Sequence, residues 1–366
     1  MPSLQPGIRV VVRQFGESPA EAIEQHIDIE AQMPPDPDEL KPTDVIVAVR
    51  ACAVGWVDLL LTSGQYQHLV KPPFVPGLEM AGEVAWIGEE VNDFAVGDRV
   101  VPDGLLTGPR SLGDYQGWGG FASWAVAPAP ALVKVPDRLS YEQAVNLLGN
   151  YETAYHALVV RARLSRGETI LVHGASGSTG LATVELAKHL GATVIATGRS
   201  AEKLAEVQRA GADHVLKLSP DEPFRDAVKE LTNGRGADVV YDGVGGAISV
   251  ESLRAIRFGG RYLVIGWAST PDVARGRGGR GAPRVNTLPT NLILMKSLDV
   301  LGSPAAISAH RDPELRQERL QAVLDLARSG AITPRAGHGF PLNEIREAMR
   351  AKWESRFVGG CVVHPP

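Results

Sequence analysis

The sequence predicts an α/β protein in which a doubly wound parallel sheet is joined to a smaller β-rich domain. Three observations carry this. From Thr169 onward the apolar runs TILVHG, TVIATG, HVLKL, DVVYDGVGG, RYLVIGWA and LDVLGS alternate with helical segments, as strands joined by crossover helices do. The first run ends in Gly174, Gly177 and Gly180, spaced by threes and opening a helix. The first third of the chain instead breaks into short strand-like runs punctuated by Gly and Pro, the pattern of a compact β unit. A chain of 366 residues exceeds one typical core, so the two patterns read as two domains.

Taken in order, the early runs IRVVVRQFG, VIVAVRACAVG, GEVAWIG, DRVVP and SWAVAP are the strands of the β unit. From about Tyr141 the pattern turns helical, with EQAVNLLGNYETAYHALVVRA forming one long stretch broken near Gly149. The run from Thr169 to His173 then reads as a buried parallel strand. After it the glycines allow a tight turn, close approach of backbone to a pyrophosphate, and packing of the helix from Leu181 on the strand. The pyrophosphate of a dinucleotide is expected over Ser176, Gly177, Ser178, Thr179 and Gly180, facing the helix's free N–H groups. The second strand, Thr193 to Thr197, ends in Gly198, Arg199 and Ser200, where a site for NAD would usually offer an acidic residue. With the charge reversed, Arg199, Ser200 and Lys203 are expected to hold a 2′-phosphate, and the expected cofactor is NADPH. His173 closes a buried strand and reads as structural, and His156 is given no role in the chemistry. After Ser303 the helix ELRQERLQAVLDLARSG and the run GGCVVH do not extend the alternation, so the tail is expected to return to the first domain and leave a cleft. The stretch ARGRGGRGAPR, 274–284, reads either as a solvated loop or as a clamp for a phosphorylated or acidic substrate.

Composition excludes several classes of function. A net charge of −5 gives no general attraction to nucleic acid or to anionic membrane. No apolar run approaches the roughly 20 residues of a membrane span. The N-terminus lacks a long apolar stretch after a basic start, so no secretory signal is expected. Cys52 and Cys361 alone form neither a disulfide framework nor a four-thiolate zinc site, and a reducing cytoplasm is the expected compartment.

Six strings together resemble the medium-chain dehydrogenase/reductases, and among them the zinc-independent NADPH:quinone oxidoreductase branch. They are PFVPGLEMAGEVAWIGEEVNDFAVGDRV, GGFASWAVAP, YETAYHALVVRARLSRGETILVHGASGSTG, DVVYDGVGG, GGRYLVIGWAS and LPTNLILMKSLDVLG, spread over nearly the whole chain. The resemblance implies a GroES-like catalytic domain from residues 1–151 and 303–366 around a Rossmann NADPH-binding domain at 152–302. It also implies a homodimer or a dimer of dimers, often with Rossmann sheets joined edge to edge. It places Val244, Gly245, Gly266, Trp267 and Asn291 near the ribose and nicotinamide. Where zinc-dependent members carry a first cysteine ligand this chain has Gly55, where they carry a histidine it has Leu78, and their third ligand falls at Asn150. Gly55 and Leu78 have no ligating side chain, and a catalytic zinc needs about three protein ligands, so no metal is expected. Glu79, beside Leu78, is read as a carboxylate holding backbone or a neighbouring arginine.

Hydride transfer asks the protein to hold a nicotinamide beside an electron-poor carbon and to exclude water. Reduction of a conjugated carbonyl also asks for a hydrogen-bond donor to the developing enolate. Tyr66, matching a cleft tyrosine of related enzymes, and Tyr151 are the candidate donors, each of which could equally be a wall of the cleft. Trp56, Trp118 and Trp267 are candidates to line an apolar substrate cleft or to sit in the core. Relatives often carry Asn at the position of Gly55, and an aromatic where this chain reads SPAA after Gly302, so the pocket is expected to differ from theirs. The expected function is NADPH-dependent hydride transfer to a quinone or to the C=C of an α,β-unsaturated carbonyl. The alternatives are an enoyl-thioester reductase of acyl-CoA or polyketide type, and an NADPH-binding structural or regulatory protein without turnover.

Overall fold

The computed structural model describes residues 4–366 apart from 67, 69, 112, 220–221, 270–273, 276–278 and 281–285. It divides into two compact units: Met1–Leu148, Ala274–Arg280 and Pro334–Pro366 form the first, and Gly149–Val273 with Gly281–Thr333 the second.

The first unit is built on one long strand, Asp44–Val54, whose sequence DVIVAVRACAV is rich in β-branched residues and mostly buried. Along one side it pairs antiparallel with Glu79–Ile87, which passes the sheet on to Arg99–Pro102 and Leu132–Lys134. Elsewhere its first half pairs with Trp124–Pro128 and its last residues with Cys361–His364, so the two ends of the chain share one sheet. Helix Ile345–Trp353 spaces Ile345, Ala348 and Met349 by three and one, which puts them on one face. That face joins Leu59, Leu61, Met80 and Phe121 in a single core.

The second unit holds a six-stranded sheet in the order His214–Lys217, Thr193–Gly198, Thr169–Val172, Ala237–Asp242, Ile256–Val264, Asp299–Gly302. All its pairings are parallel. Its central strands are apolar runs with no alternation, because helices cover such a sheet on both faces. The order in which strands are added reverses between Thr169–Val172 and Ala237–Asp242, and that reversal opens a crevice at the carboxyl ends of the strands.

The long helical stretch breaks a few residues before Gly149: a short helix Tyr141–Ala144 is followed by Leu148–Tyr155, which runs on into a π-helical turn, His156–Arg161. By internal contacts the second unit extends to Thr333, beyond the residue 302 expected for the Rossmann part. Helix Pro313–Ser329 is held there by charge: the Arg319 guanidinium, 2% exposed, donates to Glu152 and to Ser308 Oγ, and Arg316 pairs with the same carboxylate. After that helix, the residues from Pro334 onward belong to the first unit. Of the arginine-rich loop only the backbone of Ala274–Arg275 and Gly279–Arg280 is described, as an antiparallel pair, so its proposed clamp lies outside the described residues.

Candidate functional site

The second unit brings four of its loops to the carboxyl ends of adjacent strands. Strand Thr169–Val172 ends in the turn that carries Gly174, Gly177 and Gly180 into helix Ser178–His189. A Cβ at Gly180 would collide with the Gly174 carbonyl and with Ala175, so only glycine lets the helix lie this close to the strand end. At Gly177 the same added atom would meet nothing closer than Gly174 O at 3.4 Å, and at Gly243 it would meet nothing at all. The turn is therefore closed towards the protein at Gly180 and open at Gly177 and Gly243. That is the shape a dinucleotide requires, with Ser176, Gly177, Ser178 and Thr179 at a helix start that can face a pyrophosphate.

The opposite side of the turn is organised by Asp242, which closes strand Ala237–Asp242 and is buried. Its Oδ1 accepts from Val244 N at 2.8 Å and Gly245 N at 2.9 Å, while Oδ2 accepts from Ser249 Oγ and Tyr262 OH. Burial works against ionisation, but the charge interaction with His173 and these donors hold its carboxyl below the usual carboxylate range. The loop it shapes lies over the glycine turn, since a Cβ on Gly174 would stand 3.2 Å from Val244. It also pairs with the next strand end: Ala268 N donates to Gly243 O and Ser269 N to Val244 O. Val244, Gly245, Gly266 and Trp267 are thus gathered beside the turn, with Trp267 39% exposed. Asn291 lies apart in sequence on the short helix Thr290–Met295 and is exposed.

Strand Thr193–Gly198 supplies the fourth loop, and Ala175 N donates to Thr197 O to bring it beside the glycine turn. Ser200 caps helix Ala201–Arg209 by accepting from Lys203 N, Arg199 is exposed, and Lys203 is half-buried on the first turn. His173 is fully committed: its Nδ1 contacts Thr197 Oγ1 and its Nε2 Ser252 Oγ, both at 2.7 Å, and burial pushes its pKa down to about 4.

Tyr151 is tied to the helix that follows the glycine turn. Its ring is 4% exposed inside the second unit and its hydroxyl donates to Glu185 on the helix that follows the glycine turn. Glu185 also accepts from Thr333 N, so the hydroxyl works as a strut. The neighbouring residues do similar work: Thr179 Oγ1 donates to Asn150 Oδ1 at 2.9 Å, and Glu152 receives Arg319. In the first unit Tyr66, Trp56 and Trp118 are half-buried and pack on one core. Trp56 stacks on Trp353, with ring centroids 5.4 Å apart and planes 13° from parallel.

Two family models match the chain: the alcohol dehydrogenase GroES-like domain over residues 41–137 and the zinc-binding dehydrogenase model over residues 178–326. The quinone oxidoreductase-like protein 2 homolog of Nematostella vectensis is 34% identical over 329 residues, which is 89% of this chain and 83% of that protein. The chain belongs to the medium-chain dehydrogenase/reductases, in their quinone oxidoreductase-like branch. A mycobacterial member solved in complex with NADPH superposes with a TM-score of 0.78 at 29% identity, over 98% of this chain and all of that one. Polyketide synthase GfsB of Streptomyces halstedii is 32% identical over 329 residues, 89% of this chain but 5% of that protein.

As a medium-chain dehydrogenase/reductase the protein is an oxidoreductase, with the GroES-like and Rossmann-type parts expected from its sequence. Of the three positions compared with zinc ligands in the sequence, Gly55 caps a helix start, Leu78 packs in the core of the first unit, and Asn150 accepts from Thr179. Among the described residues no three His, Cys, Asp or Glu side chains are grouped to hold a metal ion. Among them too, no helix is long and apolar enough to cross a membrane. Two residues that order backbone, Asp242 in these loops and Asp58 at the start of helix Trp56–Thr62 in the first unit, were not singled out from the sequence. Each acts on backbone N–H groups, and an aspartate facing backbone has no signature in a single chain beyond its place at a strand end or helix start.

Proposed function

We propose that the protein is an NADPH-dependent, zinc-independent oxidoreductase that transfers hydride to a quinone or to the C=C of an α,β-unsaturated carbonyl compound. The observation that carries this is the cradle at the carboxyl ends of the parallel strands, open at Gly177 and Gly243 and bordered by the exposed Arg199. Bound NADPH would supply the hydride. The chain's part is to hold the cofactor over Ser176–Gly180 and beside Val244–Gly245, and to offer Arg199, Ser200 and Lys203 to a 2′-phosphate. In the first unit Trp56, Trp118 and Tyr66 offer apolar rings to a flat acceptor, and Tyr66 can donate a hydrogen bond to a developing enolate. Trp267, exposed on the second unit, is a further candidate for the acceptor or the nicotinamide ring. A cytoplasmic location fits the two buried, free cysteines.

The test is a panel of a quinone, a free enone and an enoyl thioester, each with NADPH and with NADH, read at the absorbance of the reduced nicotinamide. Oxidation of NADPH by the quinone or enone is expected. Arg199→Ala should raise the NADPH dissociation constant about tenfold to a hundredfold and leave NADH binding unchanged, the loss of one charge-assisted contact. Equal binding of both cofactors by the unaltered protein would remove the NADPH assignment. The 32% identity to a stretch of a polyketide synthase supports a second reading, an enoyl-thioester reductase, and preference for the thioester would select it. NADPH binding with no oxidation by any of the three would leave a binding protein without turnover.

We also propose that the protein acts as a homodimer or a dimer of dimers. Asp299–Gly302 is one of the two edge strands of the parallel sheet, and Val300, Leu294, Met295 and Phe258 on the same unit expose large apolar surface. A monomeric mass by light scattering at micromolar concentration would overturn this.

A further inference from the structure

Within the first unit one buried carboxylate links segments that are distant in sequence. Asp58 is 1% exposed on the first turn of helix Trp56–Thr62. Its Oδ2 accepts from Gly55 N at 2.8 Å, the backward half of a capping box, and fixes the residue before Trp56. Its Oδ1 accepts from Gly77 N at 3.1 Å, across 19 residues of chain. Gly77 in turn receives Gly120 N on its carbonyl at 2.8 Å, and Phe121 N donates to Pro76 O at 2.9 Å. Gly77 has φ of +98°, and a Cβ there would collide with Phe121 N, so these two backbones meet where only glycine fits. Two residues before Gly120 stands Trp118. The Asp58 carboxylate, Gly77 and Gly120 thus connect the backbone before Trp56 to the backbone beside Trp118 through hydrogen bonds of 2.8 to 3.1 Å.

We propose that Asp58 is a positioning residue for the electron acceptor: it sets the spacing between Trp56 and Trp118, the two indoles offered to a flat substrate. The proposal rests on the function assigned above. Burying a carboxylate is costly, and a group of that cost is kept where its acceptors order backbone that packing alone leaves free to shift. Burial raises the Asp58 carboxyl to about 6, against the pull of its backbone donors and of Arg110, and Lys352, one residue before the Trp353 that stacks on Trp56, faces both Asp58 and Glu79. Trp56 is thus braced by Trp353 on its ring and by Asp58 on its backbone.

Asp58→Asn and Asp58→Ala in the full chain test this. Amide hydrogen exchange should quicken tenfold or more at Gly55 and Gly77 in Asp58→Ala, and less in Asp58→Asn, whose amide oxygen still accepts one bond. The acceptor KM should rise about tenfold in Asp58→Ala while the NADPH dissociation constant, set in the other unit, stays within twofold. Trp56→Ala should raise KM similarly, and the double variant Asp58→Asn with Trp56→Ala should cost less than the sum, because both act through one indole. Unchanged exchange at Gly55 and Gly77, or an acceptor KM within twofold of the parent, overturns the proposal. Should Asp58→Ala fail to fold, the same two measurements on Asp58→Asn decide. A parent protein that reduces no acceptor would defeat the functional reading, and the exchange rates would still judge Asp58.

Discussion

At the scale of single residues, the two tyrosines offered as hydrogen-bond donors separate by their partners. Tyr151 donates to Glu185 and is buried, and desolvation together with that carboxylate pushes its hydroxyl far above the ordinary phenol range. Such a hydroxyl is held to its carboxylate partner and resists losing its proton. Tyr151→Phe is therefore expected to leave turnover with quinone and enone near that of the parent while lowering stability by about 1–3 kcal/mol, since Glu185 loses a buried partner. Urea unfolding beside steady-state rates measures both. Tyr66→Phe should do the opposite, slowing enone reduction more than quinone reduction with little change in unfolding, because a quinone's product can be protonated by solvent. Equal rates on the enone would make Tyr66 a packing residue. The side chain types were legible in the sequence, but the partner of each hydroxyl was not. Glu185 lies 34 residues from Tyr151, and nothing local marks the pair.

Among elements, the helix that opens the second unit sends polar attachments in three directions. Asn150, Tyr151 and Glu152 follow one another on Leu148–Tyr155 and reach three different places: Thr179 in the glycine turn, Glu185 further along the same helix, and Arg316 with Arg319 on Pro313–Ser329. Helical geometry turns successive side chains by about 100°, so three neighbours can serve three directions. The Glu152–Arg319 pair is buried at both ends, and Arg319 NH1 also meets His156 Nδ1 at 2.9 Å in the π-helical turn. Arg319→Ala is expected to destabilise the second unit by about 3–5 kcal/mol, because it strands the Glu152 carboxylate without its main partner. A loss under about 1 kcal/mol in chemical denaturation would show that the pair is replaceable. The strands and crossover helices themselves were readable from apolar runs and glycines. The boundary near Thr333 was not, since it depends on buried charges on a helix whose sequence, ELRQERLQAVLDLARS, reads as a mostly polar surface helix.

For the whole molecule, three buried titrating groups predict opposite responses of the two units to mild acid. Burial lowers His173 and His156 to about 4, below the ordinary imidazole near 6.5. Their unfolded forms therefore take up protons that the native forms refuse, and the second unit loses stability as pH falls through 6.5 towards 4. Each histidine contributes a slope of about 1.4 kcal/mol per pH unit in that window. Asp58 in the first unit is raised by burial to about 6, against the pull of its backbone donors and of Arg110. Its native carboxyl binds a proton that the unfolded one, titrating near 4, does not, so the first unit gains stability as pH falls from 6 towards 4. Calorimetry from pH 7 to pH 5 should show the transition of the second unit moving down while that of the first holds or rises. A common downward shift of both would count against the buried Asp58 carboxylate as the dominant group in its unit.

What the sequence determined by itself is everything that repeats along the chain or sits within a few residues. The apolar runs that become parallel strands, the glycines at 174, 177 and 180, the basic Arg199 after the second strand, and the absence of ligating side chains at Gly55 and Leu78 are local facts, and local chemistry reads them. Tertiary structure alone decided which donors meet which acceptors. Asp242 over the cofactor turn, Asp58 between Gly55 and Gly77, Tyr151 against Glu185, and Arg319 on Glu152 all join residues whose closeness is made by packing. A buried polar group must find a partner, but which partner it finds depends on where the chain returns, and a single sequence does not record that.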